Sequence, residues 1–85
     1  MINNIIEKLS NSSIVSVAVS DDFCDVSLTV NVDDYEYASG NLYFGDEDQS
    51  FCIRGIDNYD IIEFFDEVII TDQYKTKQIS LCFIK

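Results

Sequence analysis

Cys24, Val26, Leu28, Val30 and Val32 alternate with Asp25, Ser27, Thr29, Asn31 and Asp33. A period of two sustained over this stretch fits a strand with one dry face and one wet face. Strands of that kind belong to antiparallel sheets, which can leave one side in water. Just upstream, Val15, Val17 and Val19 alternate with Ser16, Ala18 and Ser20, which predicts a partner strand over Ile14–Ser20. Asp21-Asp22 is the expected turn between them.

Asp33-Asp34 predicts a second hairpin turn, leading into Tyr35, Tyr37, Leu42 and Phe44. The phase of these four slips from odd to even positions. A bulge at Ser39-Gly40 would absorb the slip, and so would two separate short strands. Gly45–Gln49 reads as an acidic turn, and Ser50–Arg54 as a strand with Phe51 and Ile53 on one face. Val68–Thr71 and Gln78–Ile84 read as the last two strands, joined by residues 72–77.

Two segments carry helical spacing. Ile2, Ile5, Ile6 and Leu9 form one stripe, predicting a helix over Ile2–Leu9 that needs docking to persist. Asp57 is positioned to cap a second helix, with Asp60 in its first turn and Ile56 and Ile61 as a hydrophobic staple. Ile61, Ile62, Phe65 and Val68 or Ile69 would be its apolar side. Asp60, Glu63 and Glu67 would be an acidic stripe with no base to offset it. The expected order is α-β-β-β-β-α-β-β. This is one α+β domain over residues 1–85, mostly antiparallel, with both helices on one face of the sheet.

Sixteen Asp and Glu against five Lys and Arg give the chain a net charge of −11. The apolar share is 47%, high enough for a folded core rather than a disordered acidic chain. No basic footprint for nucleic acid exists, and anionic membrane surfaces would repel the chain. The N-terminal residues show no basic start or long apolar stretch, so a cytoplasmic location is expected. Cys24, Cys52 and Cys82 are odd in number and lack CxxC spacing, which predicts neither a disulfide framework nor a zinc site. Each lies in an apolar run and is read as a buried thiol.

The chain has no histidine, so no Ser-His or Cys-His nucleophile pair can form. With three glycines it has no phosphate-cradling loop, and a chain this short rarely frames opposed carboxylates across a cleft. A non-catalytic protein without cofactors is expected. Asp46, Asp48, Ser50 and Asp57 fall at ligand positions of a calcium loop, but Phe51 stands where the turn needs Gly and Asp57 where it needs Glu. That segment is read as an acidic turn with no metal.

From Leu9 to Ile53 there is no basic residue. Asp21, Asp22, Asp25, Asp33, Asp34, Glu36, Asp46, Glu47 and Asp48 fall in that span, and Asp60, Glu63 and Glu67 follow. These are the candidate partner-binding residues. Carboxylates two apart on a strand stand roughly 6–7 Å apart, near the spacing of phosphates along one nucleic-acid strand. Turns at shared sheet ends would concentrate them. Tyr35, Tyr37, Tyr43, Tyr59 and Tyr74 are available as anchors.

In size, acidity and expected class the chain resembles small phage-encoded anti-CRISPR proteins, and DNA-mimic inhibitors more broadly. The resemblance rests on the Asp21-Asp22, Asp33-Asp34 and Asp46-Glu47-Asp48 turns and on Asp60, Glu63 and Glu67. It is one of character across the whole chain, not of a shared motif. It implies a basic protein partner, a CRISPR-Cas effector or similar nuclease, blocked where it reads the PAM or holds DNA. It implies no direct nucleic-acid binding. Two other readings stay open. One is an immunity protein that neutralises a cationic nuclease toxin. The other is an oligomerising or regulatory domain, which exposed apolar residues such as Ile84 would favour. Either a monomer or a homodimer is compatible with the sequence.

Overall fold

The computed structural model describes residues 2–85. One helix, α1 (Ile2–Ser10), precedes eight strands: β1 (Ile14–Ser20), β2 (Asp25–Asn31), β3 (Asp34–Ala38), β4 (Asn41–Gly45), β5 (Ser50–Ile53), β6 (Asp60–Glu63), β7 (Glu67–Thr71) and β8 (Gln78–Ile84). A five-stranded sheet runs in the order β2-β1-β8-β7-β6, and a three-stranded sheet in the order β3-β4-β5. Every pairing is antiparallel. The α+β class and the mostly antiparallel sheet match the sequence reading. Among the described residues, the second α-helix does not form.

The two alternating segments pair as their patterns require. Val15 lies opposite Val30 and Val17 opposite Leu28, so one face collects the branched side chains. On the other side of β1, Val17 meets Leu81 of β8, and Leu81 meets Val68 of β7. This row continues into the core with Ile70 and Ile79. Leu42, Phe44 and Ile53 enter from the small sheet, and Ile5 and Leu9 from α1, closing one cluster. Truncating a fully buried member such as Leu81 to Ala would cost about 2–5 kcal/mol.

Three expectations are corrected, and one open choice is resolved. First, the segment expected as helix two is a 3₁₀ turn (Ile56–Asn58) followed by the β6–β7 hairpin. Its Ile61 and Ile62 lie opposite Ile70 and Ile69. Branched side chains fit a pleated pairing better than a helix, where they lose rotamer freedom. The hairpin also breaks up the Asp60, Glu63 and Glu67 stripe, which no base would have offset.

Second, Asp33-Asp34 is not a hairpin turn, because β2 and β3 belong to different sheets. The Val32 amide donates to the Ser13 carbonyl, and the Asp33 amide to the Gly45 carbonyl, so the chain changes sheets here. Third, the phase slip resolves as two strands, β3 and β4. Ser39 and Gly40 both take positive φ, 55° and 78°, as a tight turn between right-twisted strands demands. Fourth, the thiols are not buried: Cys24 and Cys82 are exposed and Cys52 half-buried. Cys82 lies on the outer face of the large sheet, whose opposite face is the one that packs.

Candidate acidic groove

The twelve acids do not form one surface. They fall into three groups set by the topology. Asp21, Asp22 and Asp25 occupy the β1–β2 turn and the start of β2. They share a cavity of about 350 Å³ with Lys75, Thr76 and Lys77 of the β7–β8 loop, Asp25 excepted. Asp60, Glu63 and Glu67 lie on the β6–β7 hairpin. Register places Asp60 on the outer face and Glu63 on the face of Ile61 and Val68. There the Asn4 side chain of α1 donates to Glu63 Oε2 at 3.2 Å. Glu67 accepts from the Ser80 hydroxyl at 2.8 Å.

The third group converges. The sheet change at Asp33 and the β4–β5 turn meet at one end of the small sheet. Between them opens a groove of about 500 Å³ lined by Asp33, Asp34, Glu36, Asp46 and Glu47, with Tyr35, Tyr43, Phe44, Gly45 and Ser50. None of its lining residues is Lys or Arg. Asp48 belongs to the same turn without lining the groove.

Local chemistry fixes the groove. Asp46 Oδ1 accepts the amides of Asp48 at 2.9 Å and Gln49 at 2.8 Å, and Oδ2 accepts the Asn31 side-chain amide at 3.3 Å. The Gln49 and Asp48 amides hold the Asp46 carboxyl below its ordinary value of 3.8. It therefore stays anionic in a crowded acidic site. Gly45 makes the tight approach possible. Its φ is 155°, and a Cβ there would stand 2.3 Å from the Gln49 carbonyl oxygen. The Gly45 carbonyl also accepts the Asp33 amide at 3.0 Å, tying both acidic segments to one backbone position.

Tyr35 and Tyr43 are 37% and 40% exposed, so their rings offer apolar wall and a polar tip inside an anionic rim. Tyr37 is not free in this way. Its hydroxyl donates to Asp57, 2.7 and 2.6 Å from the two carboxylate oxygens, and that contact raises its pKa. Asp57 and Asp46 thus bond separate partners, Tyr37 and the β4–β5 turn. Among the described residues, no cluster of His, Cys, Asp or Glu is arranged to hold a metal ion.

The sequence reading named the acids but missed what unites them. Gly45 immediately before an Asp-rich turn was the signal available. Phe64 and Phe65 were missed as surface residues, because Phe65 was assigned to the dry side of a helix. They are 51% and 94% exposed. No helix among the described residues is long and apolar enough to cross a membrane. No protein family, curated protein or solved structure matches the chain.

Proposed function

We propose that this protein is a non-catalytic inhibitor that seats its acidic groove on the cationic, nucleic-acid-binding surface of a nuclease, with a CRISPR-Cas effector as the target class implied by its resemblance to small acidic anti-CRISPR proteins. The observation that carries this reading is the convergence of five carboxylates and two half-exposed tyrosines in one groove without a basic residue. Nucleic-acid-binding clefts present Lys and Arg, and draw much of their affinity from counterion release. Fixed carboxylates compete for the same cations with fast, salt-sensitive association. Asp34 and Glu36 project from one face of β3 at the roughly 6–7 Å repeat of alternate strand residues, comparable to successive phosphates. The tyrosines supply the contact area that charge alone lacks.

The test is inhibition of a purified cationic nuclease, with DNA as competitor. Inhibition that DNA relieves, and that weakens steeply with salt, is expected. Inhibition insensitive to both would refute a groove that stands in for nucleic acid. An oligomerising domain is the second reading, and half-exposed Ile84 favours it. Sedimentation of the free protein separates the two: a stable homo-oligomer that buries Ile84 would support the second.

A further inference from the structure

β6 is the last strand of the large sheet, so one of its sides has no neighbour. The Phe64 amide donates to the Glu67 carbonyl at 2.7 Å, which fixes the hydrogen-bonding phase of the hairpin. By antiparallel alternation, Ile62 and Asp60 then bond across to Ile69 and Thr71. The amides and carbonyls of Ile61 and Glu63 point the other way, to the open side. Among the described residues, neither residue has a backbone partner there. Such an edge is blunted by Lys, Pro, a bulge, short length or an inward-pointing charge. β6 has no Lys, no Pro and an uninterrupted register; it is four residues long, and Glu63 is its charge on the packing face.

The side chains along this edge are ordered by phase. Ile62, 55% exposed, stands on the outer face with Phe64 two residues on. Glu63, exposed, stands on the opposite face. Phe65 projects from the hairpin tip at 94% exposure. The charges on β6 itself, Asp60 and Glu63, are both acidic, and Asp66 and Glu67 follow at once. Lys8 and Lys85 lie nearby only at the tip, where they share a cavity of about 260 Å³ with Phe65, Glu7 and Asp66. A second copy would bring the same carboxylates against these, and like charges across a strand pair are destabilising.

We infer that β6 is a docking edge for an extended segment of a partner protein, a strand with apolar residues on one phase and Lys or Arg on the other. The apolar phase covers Ile62 and Phe64, the basic phase meets Glu63, and the strand's backbone pairs with Ile61 and Glu63. Strand addition of this kind draws affinity from main-chain bonds and selectivity from alternate side chains. The surface is separate from the acidic groove, and the inference does not depend on what the groove binds.

The probe is a short capped peptide alternating Lys and Val, set against a Glu/Val peptide and a Lys/Gly peptide of equal length. Hydrogen exchange of the uniformly labelled protein is followed by NMR. The Lys/Val peptide should slow exchange of the Ile61 and Glu63 amides and bind at least about tenfold more tightly than either control. Glu63→Pro, which removes the outward amide at an edge position where Pro is tolerated, should abolish binding, while Glu63→Gln should weaken it only a few-fold. Phe64→Ala alters a 51% exposed side chain on the phase the peptide covers, and should weaken binding about tenfold. Equal binding of the Lys/Gly peptide would reduce the effect to charge and overturn the inference. So would perturbation centred on Asp33–Glu36, protection of the edge by self-association, or no binding at millimolar peptide.

Discussion

The β1–β2 and β4–β5 turns are built alike. Asp21 Oδ1 accepts the amides of Phe23 and Cys24, and its own amide donates to the Cys24 carbonyl at 3.1 Å. Asp46 Oδ1 accepts the amides of Asp48 and Gln49, and its amide donates to the Gln49 carbonyl at 2.8 Å. Both carboxyls are held below their ordinary value by those amides. The surroundings are opposite. The first turn shares its cavity with Lys75 and Lys77, and Lys77 further lowers the Asp21 pKa. The second faces Asp33, Asp34 and Glu36. An acidic turn is thus a structural device by itself. On the function proposed above, it serves docking only where the fold places other acids, and no base, across from it.

The sharpest way to break this comparison is at the residue before each turn. Gly45→Ala forces a Cβ into the Gln49 carbonyl and should destabilise the protein by on the order of 3 kcal/mol, opening the groove. Ser20→Ala, at the equivalent position of the other turn, should stay within about 0.5 kcal/mol. Denaturant melts of both variants read the difference.

Next comes binding. Reversing Asp33, Asp34 and Glu36 to Lys together should weaken affinity for a cationic nuclease by about 100-fold or more, since buried charge partners are left opposed. Reversing Asp21 and Asp22 should change it only several-fold, through net charge. Equal effects from the two sets, measured by calorimetry, would dissolve the distinction between the turns.

A smaller effect concerns self-repulsion. Added salt should raise the melting temperature by a few degrees, about what ~1 kcal/mol gives in a domain of this size. Neutralising Asp33, Asp34 and Glu36 to amides should blunt that rise, while neutralising Asp21 and Asp22, already beside lysines, should not.

The smallest effect is the acid response. A carboxyl whose folded pKa is depressed stabilises the fold above its unfolded value and loses that contribution as pH falls through the folded one. The stability gap between wild type and Asp46→Ala should therefore be full above the ordinary value of 3.8 and close on further acidification. Asp21→Ala should behave the same way. A gap that persists in strong acid would mean that the turn does not rely on the anion.

The sequence made the alternating strands legible because each needs only its own residues. Val15, Val17 and Val19 mark one face of β1 whatever strand lies beside it. The helix at Ile2–Ser10 was legible for the same reason, with Ile5 and Leu9 buried as the stripe required. Residues 57–67 were misread because Asp57, Ile61 and Phe65 satisfy helical spacing as well as they satisfy a hairpin. Only the partner, β7 with Ile69 and Ile70, decides between the two. The thiols failed differently. An apolar neighbourhood in sequence does not say which strand face packs, and Cys82 fell on the uncovered one.

The sequence alone determined the charge, the lack of histidine chemistry, the phase of the long strands and the acid content of each turn, since these are properties of composition and local spacing. Tertiary structure alone decided that the chain changes sheets at Asp33, that β6 ends a sheet with one side open, and that the β4–β5 acids face other acids while the β1–β2 acids face lysines. Those outcomes depend on which strands pair across long stretches of chain. That choice is made by burial of the whole core, which no single segment encodes.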